Sequence, residues 1–403
     1  MTPSSYSTAF ASDAAAQRLY QDLLAAGETD RGLDQGFSSV SYTSARRGPV
    51  QGASDRRLES AELFERMIAS SNHSAAYQRF AGEALPWQAS GNASSLAVLR
   101  RFDADIAAWR RDHQLPSGVN RALAQHIFNW VSSSSGLGLR IVENEVERDI
   151  DQVFASQRGD CTESTKVLLS LLTRVGFNPF PVWVHVDSNG QEVQHIATGL
   201  VLGGQTVLLD PVYGGFNQAH QQFVRLSLRE FLAWHWNNRA LDLQSSNPQQ
   251  ALVLFNRARQ IDPNNPHILL NQGMVRRDQL NDFARASGDF RAALRLDSSF
   301  DPAQFQLGNM AFDVGRGHEL AGRSQQAEAS YLQAETFFRQ AIAGNVGQPS
   351  YRRNLVLTLI RLGRLRQAEP HFLALCRLDP HASDLGRLSG ILRVAIPGRS
   401  RSL

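Results

Sequence analysis

Apolar residues recur every three or four positions through much of the chain, and this spacing predicts helices. Such runs cover residues 14–27, 58–71, 94–113 and 117–135, and shorter ones cover 147–157 and 226–238. The middle of the chain has a different pattern. Residues 181–186, 195–202 and 205–210 are short apolar or alternating runs, which predict strands. Gly203 and Gly204 separate the last two runs, so we expect an antiparallel hairpin there.

A cysteine opens one of the predicted helices. Cys161 follows Gly159 and Asp160, and apolar residues then recur at helical spacing until Gly176, which is a natural helix stop. The backbone N–H groups and the dipole at a helix N-terminus favour an anion, so this position favours a thiolate, the nucleophilic form of cysteine. The polar neighbours Asp160, Thr162 and Glu163 also argue against an apolar pocket around the sulfur.

A histidine and an aspartate lie at the open ends of the predicted hairpin. His195 begins the first strand and Asp210 ends the second, so pairing through the glycine turn brings them close together. His195 is then placed to take the thiol proton of Cys161, and Asp210 to orient the imidazole. His185 is the alternative base, although its alternation with Val184 and Val186 is also typical of a half-buried histidine in a strand. Asp210 precedes Pro211, and an Asp-Pro pair is also common where a strand simply ends at a turn.

The order Gly-Asp-Cys, helix, strand-opening His and strand-ending Asp-Pro resembles the transglutaminase-like cysteine enzymes over roughly residues 114–216. The resemblance implies an α+β, papain-like fold in which Cys161 is the nucleophile, His195 the general base and acid, and Asp210 the orienting carboxylate. Members of this family often have a Trp after the catalytic His, where this chain has Ile196. In such enzymes an upstream aromatic or amide side chain helps to stabilise the oxyanion, and Trp130 and Gln157 are the candidates here. Trp130 also fits a core position on an amphipathic helix.

The last third of the chain contains a repeat. Four pairs of small or apolar residues are each separated by seven positions, and equivalent members are 35, 48 and 34 residues apart. The pairs are Ala251 and Ala258, Ala286 and Ala293, Ala334 and Ala341, and Ala368 and Leu375. This spacing resembles the 34-residue tetratricopeptide repeat (TPR), an all-α solenoid in which small residues let paired helices approach closely. We expect the extra residues of the 48-residue interval to lengthen a turn between helices, and Pro370 to kink the last repeat.

Composition excludes several functions. The 41 basic and 38 acidic residues nearly cancel, and the arginines are scattered, so nucleic-acid binding is not expected. No stretch is apolar enough to span a membrane and no secretory leader is evident, so we expect a cytoplasmic protein without a membrane partner.

His220 and His235 lie outside any metal-ligand spacing, and no phosphate-binding glycine motif is present, so neither a metal nor another cofactor is expected. The two cysteines lie in different predicted domains, which argues against a disulfide.

These patterns predict four segments. Residues 1–57 are a mostly disordered segment, 58–113 a helical extension, 114–230 the transglutaminase-like domain, and 231–395 the TPR domain with a capping helix. The combination resembles the bacterial branch in which such a domain is fused to TPRs. It implies acyl transfer or amide hydrolysis on a protein or peptide through a thioester, with the TPR groove recruiting the substrate or a partner. The alternative is an inactive transglutaminase-like platform that serves as an adaptor between proteins. The oligomeric state and the acyl acceptor stay open.

Overall fold

The computed structural model describes residues 92–115, 118–142 and 148–394. They fall into two compact units. The sheet unit contains the described residues up to Leu243 together with Gln249–Pro263, and the repeat unit contains Gln244–Pro248 and residues 264–394. The helices expected over 14–27 and 58–71 lie outside the described residues, and the four domain boundaries stay a prediction.

The sheet unit combines helices with a five-stranded antiparallel sheet. Its helices are α1 (Ala93–Asp112), α2 (Arg121–Ser132), α3 (Ile150–Ser156), α4 (Cys161–Val175), α5 (Leu228–Leu243) and α6 (Pro248–Ile261). Its strands are β1 (Arg140–Ile141), β2 (Arg158–Gly159), β3 (Phe180–Val186), β4 (Glu192–Leu202), β5 (Gln205–Asp210), β6 (Gly215–Phe216) and β7 (Gln222–Arg225). Strands β1 and β2 form a small parallel pair, and the main sheet has the order β6-β5-β4-β3-β7.

The predicted hairpin is confirmed in detail. Leu202 pairs with Gln205 and Thr198 with Leu209 across β4 and β5. Gly203 and Gly204 have φ angles of 59° and 78°, the left-handed conformation that a two-residue turn of this kind requires at both positions. The glycines therefore set the register that places His195 and Asp210.

One face of the sheet is covered by α4. Val167, Leu168, Leu171 and Leu172 of this helix are fully buried against Leu200, Val207 and Leu209 of the hairpin, together with apolar residues of α1, α2 and α3. The alternation along β4 and β5 therefore sends one set of side chains to this core and the other set, which includes His195, to the opposite face.

The repeat unit consists of successive helix pairs and is a TPR-like solenoid. The pairs are α7 (Pro266–Asp278) with α8 (Phe283–Leu296), α9 (Asp301–Leu320) with α10 (Ser324–Gly344), and α11 (Pro349–Arg361) with α12 (Leu365–Leu378), followed by α13 (Leu385–Leu392). The small residues predicted at the helix contacts are buried: Ala286, Ala293, Ala334, Ala341 and Ala368 are all fully enclosed. Ala251 and Ala258 are buried on α6, in the sheet unit.

Close approach within the first two pairs depends on glycine. A Cβ atom on Gly273 would lie 2.6 Å from the Phe290 ring, and one on Gly308 would lie 2.6 Å from the Phe338 ring. In both pairs the glycine is on the first helix and the aromatic ring on the second. Because glycine has no side chain, the first helix leaves a space at this position. The aromatic ring of the second helix occupies that space.

The expectation of a longer turn in the middle repeat is wrong. Helices α9 and α10 have 20 and 21 residues, whereas α7 and α8 have 13 and 14, and only residues 321–323 connect the longer pair. Each helix of this pair is about seven residues longer than its counterpart in the first pair. Seven residues are close to two turns, so the apolar face continues in the same direction. Gly315 and Tyr331 continue the contact into the added turns, since a Cβ on Gly315 would lie 2.7 Å from that ring. Helix α12 continues through Pro370.

Among the described residues, no helix has the length and apolar content needed to cross a membrane.

Candidate functional site

The turn before Cys161 is fixed by its own side chains. Asp160 caps α4, and its carboxylate accepts the backbone N–H groups of Thr162 at 2.7 Å and Glu163 at 3.3 Å. Glu163 in turn accepts the backbone N–H of Asp160 at 3.1 Å, which completes a capping box. Gly159 is needed beside it because a Cβ there would lie 2.5 Å from the Glu163 Cβ. The expected helix start at Cys161 and stop at Gly176 are both confirmed.

A buried ion pair supports the same turn. Lys166 and Glu163 are both fully buried, with the Lys166 Nζ 3.4 Å from a Glu163 carboxylate oxygen. The Lys166 ammonium also donates to the carbonyl of Arg148 at 2.6 Å, and Glu163 accepts the Arg148 backbone N–H at 3.0 Å. The segment entering α3 is therefore tied to the first turn of α4, where Cys161 lies.

The helix N-terminus does not lower the pKa of Cys161. Burial, followed by the negative charge of Asp160, raises the pKa of Cys161 to about 12. A backbone hydrogen bond from Ile196 and the hydroxyl of Thr162 oppose this rise but do not cancel it. Although the side chain keeps partial exposure, protein atoms surround the sulfur closely, so loss of hydration outweighs the favourable helix terminus. Two of the three polar neighbours that argued against such a pocket are themselves buried: Thr162 is 4% exposed and Glu163 is fully buried.

The contacts of Ile196 bring the start of α4 to the strand that carries His195. Ile196 hydrogen-bonds Cys161 through its backbone, and its carbonyl accepts the hydroxyl of Thr165 at 3.5 Å. Cys161 and the residue after His195 are therefore adjacent in space.

His195 and Asp210 form a direct buried contact. The His195 Nε2 lies 2.7 Å from the Asp210 Oδ2, and the two side chains are 7% and 1% exposed. Continuing the hairpin register places Asp210 opposite Ala197, which shares a face of β4 with His195. Because Nε2 bonds the carboxylate, Nδ1 is the ring nitrogen left to exchange a proton.

A second histidine shares the same carboxylate oxygen. The His220 Nε2 also lies 2.7 Å from the Asp210 Oδ2, and His220 is 6% exposed. The other oxygen, Oδ1, accepts the backbone N–H groups of Val212 at 3.1 Å and Tyr213 at 3.4 Å. Burial opposes ionisation of Asp210 most strongly, but the hydrogen bonds and charges of the two histidines outweigh it, and the pKa of Asp210 lies below its usual value.

Tyr213 fixes the two imidazole rings. Its ring meets His195 edge-on at a centroid distance of 5.2 Å and His220 at 5.0 Å. Its hydroxyl donates to Asp187 at 3.2 Å. Burial, together with this carboxylate, raises the pKa of Tyr213 to about 12, so the phenol remains a hydrogen-bond donor at neutral pH.

The other candidates lie elsewhere in the sheet unit. His185 is half-buried in β3, where partial burial lowers its pKa, and the carboxylate contact expected of a base is made by His195. Trp130 is 5% exposed and packs edge-on against Phe102 at 5.0 Å, within the core. Gln157 ends α3, and its side-chain amide donates to the Leu137 carbonyl at 2.8 Å. Roles for Trp130 and Gln157 at an oxyanion stay predictions.

The sequence patterns do not place His220 at the site. His220 lies in no metal-ligand spacing motif and in no predicted helix or strand. The position of His220 in the loop after Asp210 is the available signal. If that loop turns back towards the end of the strand, its polar residues lie close to Asp210. The structure therefore brings Asp210 to both imidazoles and Cys161 to the backbone of Ile196, and the contacts of the described residues include no hydrogen bond between Cys161 and His195.

No protein-family model matches the chain, and no curated protein matches it. The solved structures similar to it include YrrB, described as a TPR protein with an unusual peptide-binding site, with 20% identity over 40% of this chain and 75% of that one and a TM-score of 0.29. They also include MamA MSR-1 C2, with 16% identity over 38% and 79% of the two chains and a TM-score of 0.25. MamA 41-end from Desulfovibrio magneticus RS-1 has 17% identity over 37% and 95% and a TM-score of 0.21. The description of the repeat unit as TPR-like rests on the helix pairs of this chain.

Proposed function

We propose that this protein binds an extended segment of a partner polypeptide on its repeat unit. The observation that carries the proposal is a series of hydrogen-bonded polar side chains on the first helices of three successive pairs. Arg277 of α7 donates to Gln306 of α9, and the Asn309 amide donates to the same Gln306 oxygen at 3.3 Å. Asn354 of α11 then donates to the Asn309 oxygen at 2.7 Å. We call Arg277, Gln306, Asn309 and Asn354 the polar ladder.

The polar ladder has the chemistry that a peptide backbone requires. A carboxamide carries two N–H donors and an oxygen with two lone pairs, and the ladder contacts use one N–H of Asn309, one N–H of Asn354 and one lone pair of Asn309. Asn309 and Asn354 are partly exposed, and their neighbours hold them in fixed orientations. Because both side chains are ordered before binding, a segment that pairs with them loses little side-chain entropy in the complex.

A library of displayed unstructured peptides tests this function. Peptides selected on the wild-type chain are expected to bind the Asn309→Ala/Asn354→Ala double variant about tenfold more weakly, because two hydrogen bonds are lost. Gln367→Ala is the matched control, since it removes an exposed amide from the second helix of the last pair. Equal binding by the double variant, or no peptide enriched on the wild type, would contradict the proposal.

A second candidate is cysteine-dependent acyl chemistry in the sheet unit, and the 2.7 Å contact between His195 and Asp210 favours it. Since the pKa of Cys161 is raised, the thiol is protonated at rest, and its proton must leave as the sulfur attacks. In this reaction His195 Nδ1 accepts that proton while the sulfur–carbon bond forms, and the imidazolium then protonates the leaving group. Asp210 holds the ring and stabilises its positive charge, and water or an amine releases the acyl group from the thioester.

An activated ester tests the second candidate. Incubation of the full chain with a nitrophenyl ester is expected to add one acyl group to Cys161, detected by mass. The rate is expected to fall in His195→Gln and to stay unchanged in His185→Gln. Adding an amine during turnover separates acyl transfer from hydrolysis. Acylation at the same rate in His195→Gln would remove the proposed base from the mechanism.

A further inference from the structure

We propose that His195, Asp210 and His220 bind a divalent transition-metal ion of the zinc class. Each offers one ligand atom, and the three atoms all lie within 4.8 Å of one another. Two imidazoles and one carboxylate are a donor set that zinc and its neighbours in the first transition row accept, and it leaves coordination positions open. Binding of the metal does not depend on either proposed function.

The surroundings orient the ligands as a metal site requires. Asp210 cannot turn freely, because Val212 and Tyr213 hold its Oδ1 through their backbone N–H groups and leave Oδ2 directed at both imidazoles. Tyr213 contacts both rings edge-on and is itself held by Asp187. Partners of this kind, outside the ligands themselves, fix the orientation of metal-binding side chains and raise metal affinity.

The metal ion would take the place of the two protons that lie between the imidazole Nε2 atoms and Asp210. Both Nε2 atoms lie 2.7 Å from one oxygen, whereas tetrahedral zinc with bonds of ~2.0–2.1 Å separates its ligand atoms by ~3.3 Å. Binding therefore requires both imidazoles to move about half an ångström further from the Asp210 Oδ2. It also transfers each ring proton to Nδ1, and within the described residues the His220 Nδ1 is buried without a hydrogen-bond partner. We therefore expect weaker binding than in a structural zinc site.

Metal binding has a consequence for the second candidate function. With the metal on Nε2, the His195 Nδ1 carries a proton and cannot accept another from Cys161. The ion would therefore switch off the acyl chemistry while leaving the partner-binding surface of the repeat unit unchanged. This consequence rests on the second proposed function, but the binding itself does not.

Titration of the full chain, first stripped with a chelator, tests the site without any assay of activity. Zn²⁺ is expected to bind with one-to-one stoichiometry by calorimetry. Co²⁺ is expected to give visible absorption and two hyperfine-shifted imidazole N–H signals, and Mg²⁺ is expected not to bind because it prefers oxygen ligands. His220→Gln is expected to weaken Zn²⁺ binding by at least ~10–100-fold, the loss that follows removal of an outer partner alone.

Two variants serve as controls. His185→Gln removes a histidine of the same sheet outside the cluster and is expected to bind Zn²⁺ as the wild type does. Cys161→Ser is expected to keep saturable binding, because the three proposed ligands remain. The proposal is overturned if the wild type binds no Zn²⁺, if His220→Gln binds as tightly as the wild type, or if Cys161→Ser alone abolishes binding. Thermal unfolding of each apo variant shows whether the fold is retained, and Asp210→Asn provides a second ligand variant if His220→Gln does not fold.

Discussion

The two units of this protein hold their elements together by different means. In the repeat unit, an aromatic ring on one helix fills the space left by a glycine on the other, as Phe338 does against Gly308. In the sheet unit, the centre of the candidate site is a carboxylate, Asp210, that accepts four hydrogen bonds. The first arrangement depends on shape and the second on the direction of polar atoms. A change of volume is therefore expected to damage the repeat unit most, and a change of hydrogen bonding the site.

The largest loss of stability is expected from removing one of the buried aromatic rings between paired helices. Phe338 is fully buried and also contacts Phe305 at a centroid distance of 5.7 Å. Phe338→Ala is expected to lower the free energy of unfolding by about 3–5 kcal/mol, because it removes apolar contacts and leaves a cavity. Urea denaturation measures the change, with Phe223→Ala, at a ring that is 41% exposed, as the control. A loss as small as that of the control would show that the helix pairs do not depend on these rings.

The next effect concerns the carboxylate. Asp210→Asn keeps the shape but replaces one acceptor oxygen by a donor, which faces either two imidazole N–H groups or two backbone N–H groups. We expect a loss of about 1–3 kcal/mol, the cost of buried polar groups left unpaired. Asp112→Asn is the control, since it makes the same change at an exposed carboxylate at the end of α1. Equal stability of the two variants would mean that the cluster is not held by Asp210.

Filling a glycine space tests the same contact from the other helix. Gly308→Ala places a methyl group 2.6 Å from the Phe338 ring, so the helices must separate, with an expected loss of about 1–3 kcal/mol. Gly288 is the matched control, because it is an exposed helical glycine with nothing within 4 Å of an added Cβ. Gly288→Ala is expected to raise stability by about 0.5–1 kcal/mol through the better helix propensity of alanine. If both variants change stability in the same direction, close approach is not what the repeat glycine provides.

The smallest effect near neutral pH is that of the thiol, which acts only at alkaline pH. Cys161 has a folded pKa of about 12 against an ordinary value of 9.0, so between these values the unfolded chain loses a proton that the folded chain keeps. Stability contributed by the thiol is therefore present below pH 9 and is lost as pH rises above it, by at most about 1.4 kcal/mol per pH unit. Urea denaturation of Cys161→Ser is expected to show a shallower alkaline loss than the wild type. Parallel curves would show that the thiol is not desolvated.

The repeat unit was the easier part to predict from sequence. Ala286, Ala293, Ala334 and Ala341 each touch a partner set by the geometry of a helix pair, so a seven-residue spacing was enough to place them. The location of the extra residues could not be predicted. A seven-residue extension of each helix leaves the direction of its apolar face unchanged, so the sequence shows only that the repeat is longer.

Only the part of the site that follows from the hairpin register could be predicted from the sequence. That register explains the meeting of His195 with Asp210. His220 was not placed at the site, because a loop conformation brings it to the carboxylate and no strand or helix period encodes that conformation. The protonation of Cys161 was predicted in the wrong direction, because sequence shows which charges and dipoles are near a sulfur but not how closely protein atoms exclude water from it.

We propose that the repeat unit binds a partner and that the thiol of the sheet unit is protonated at rest. The most direct test is the pH dependence of iodoacetamide labelling of Cys161, measured in a Cys376→Ser background so that only one thiol is present. We predict slow labelling at neutral pH and a rate that rises steadily with pH towards the folded pKa of about 12. Fast labelling with a plateau at neutral pH, lost in His195→Ala, would contradict this account, because it would reveal a thiolate already paired with an imidazolium before any substrate arrives.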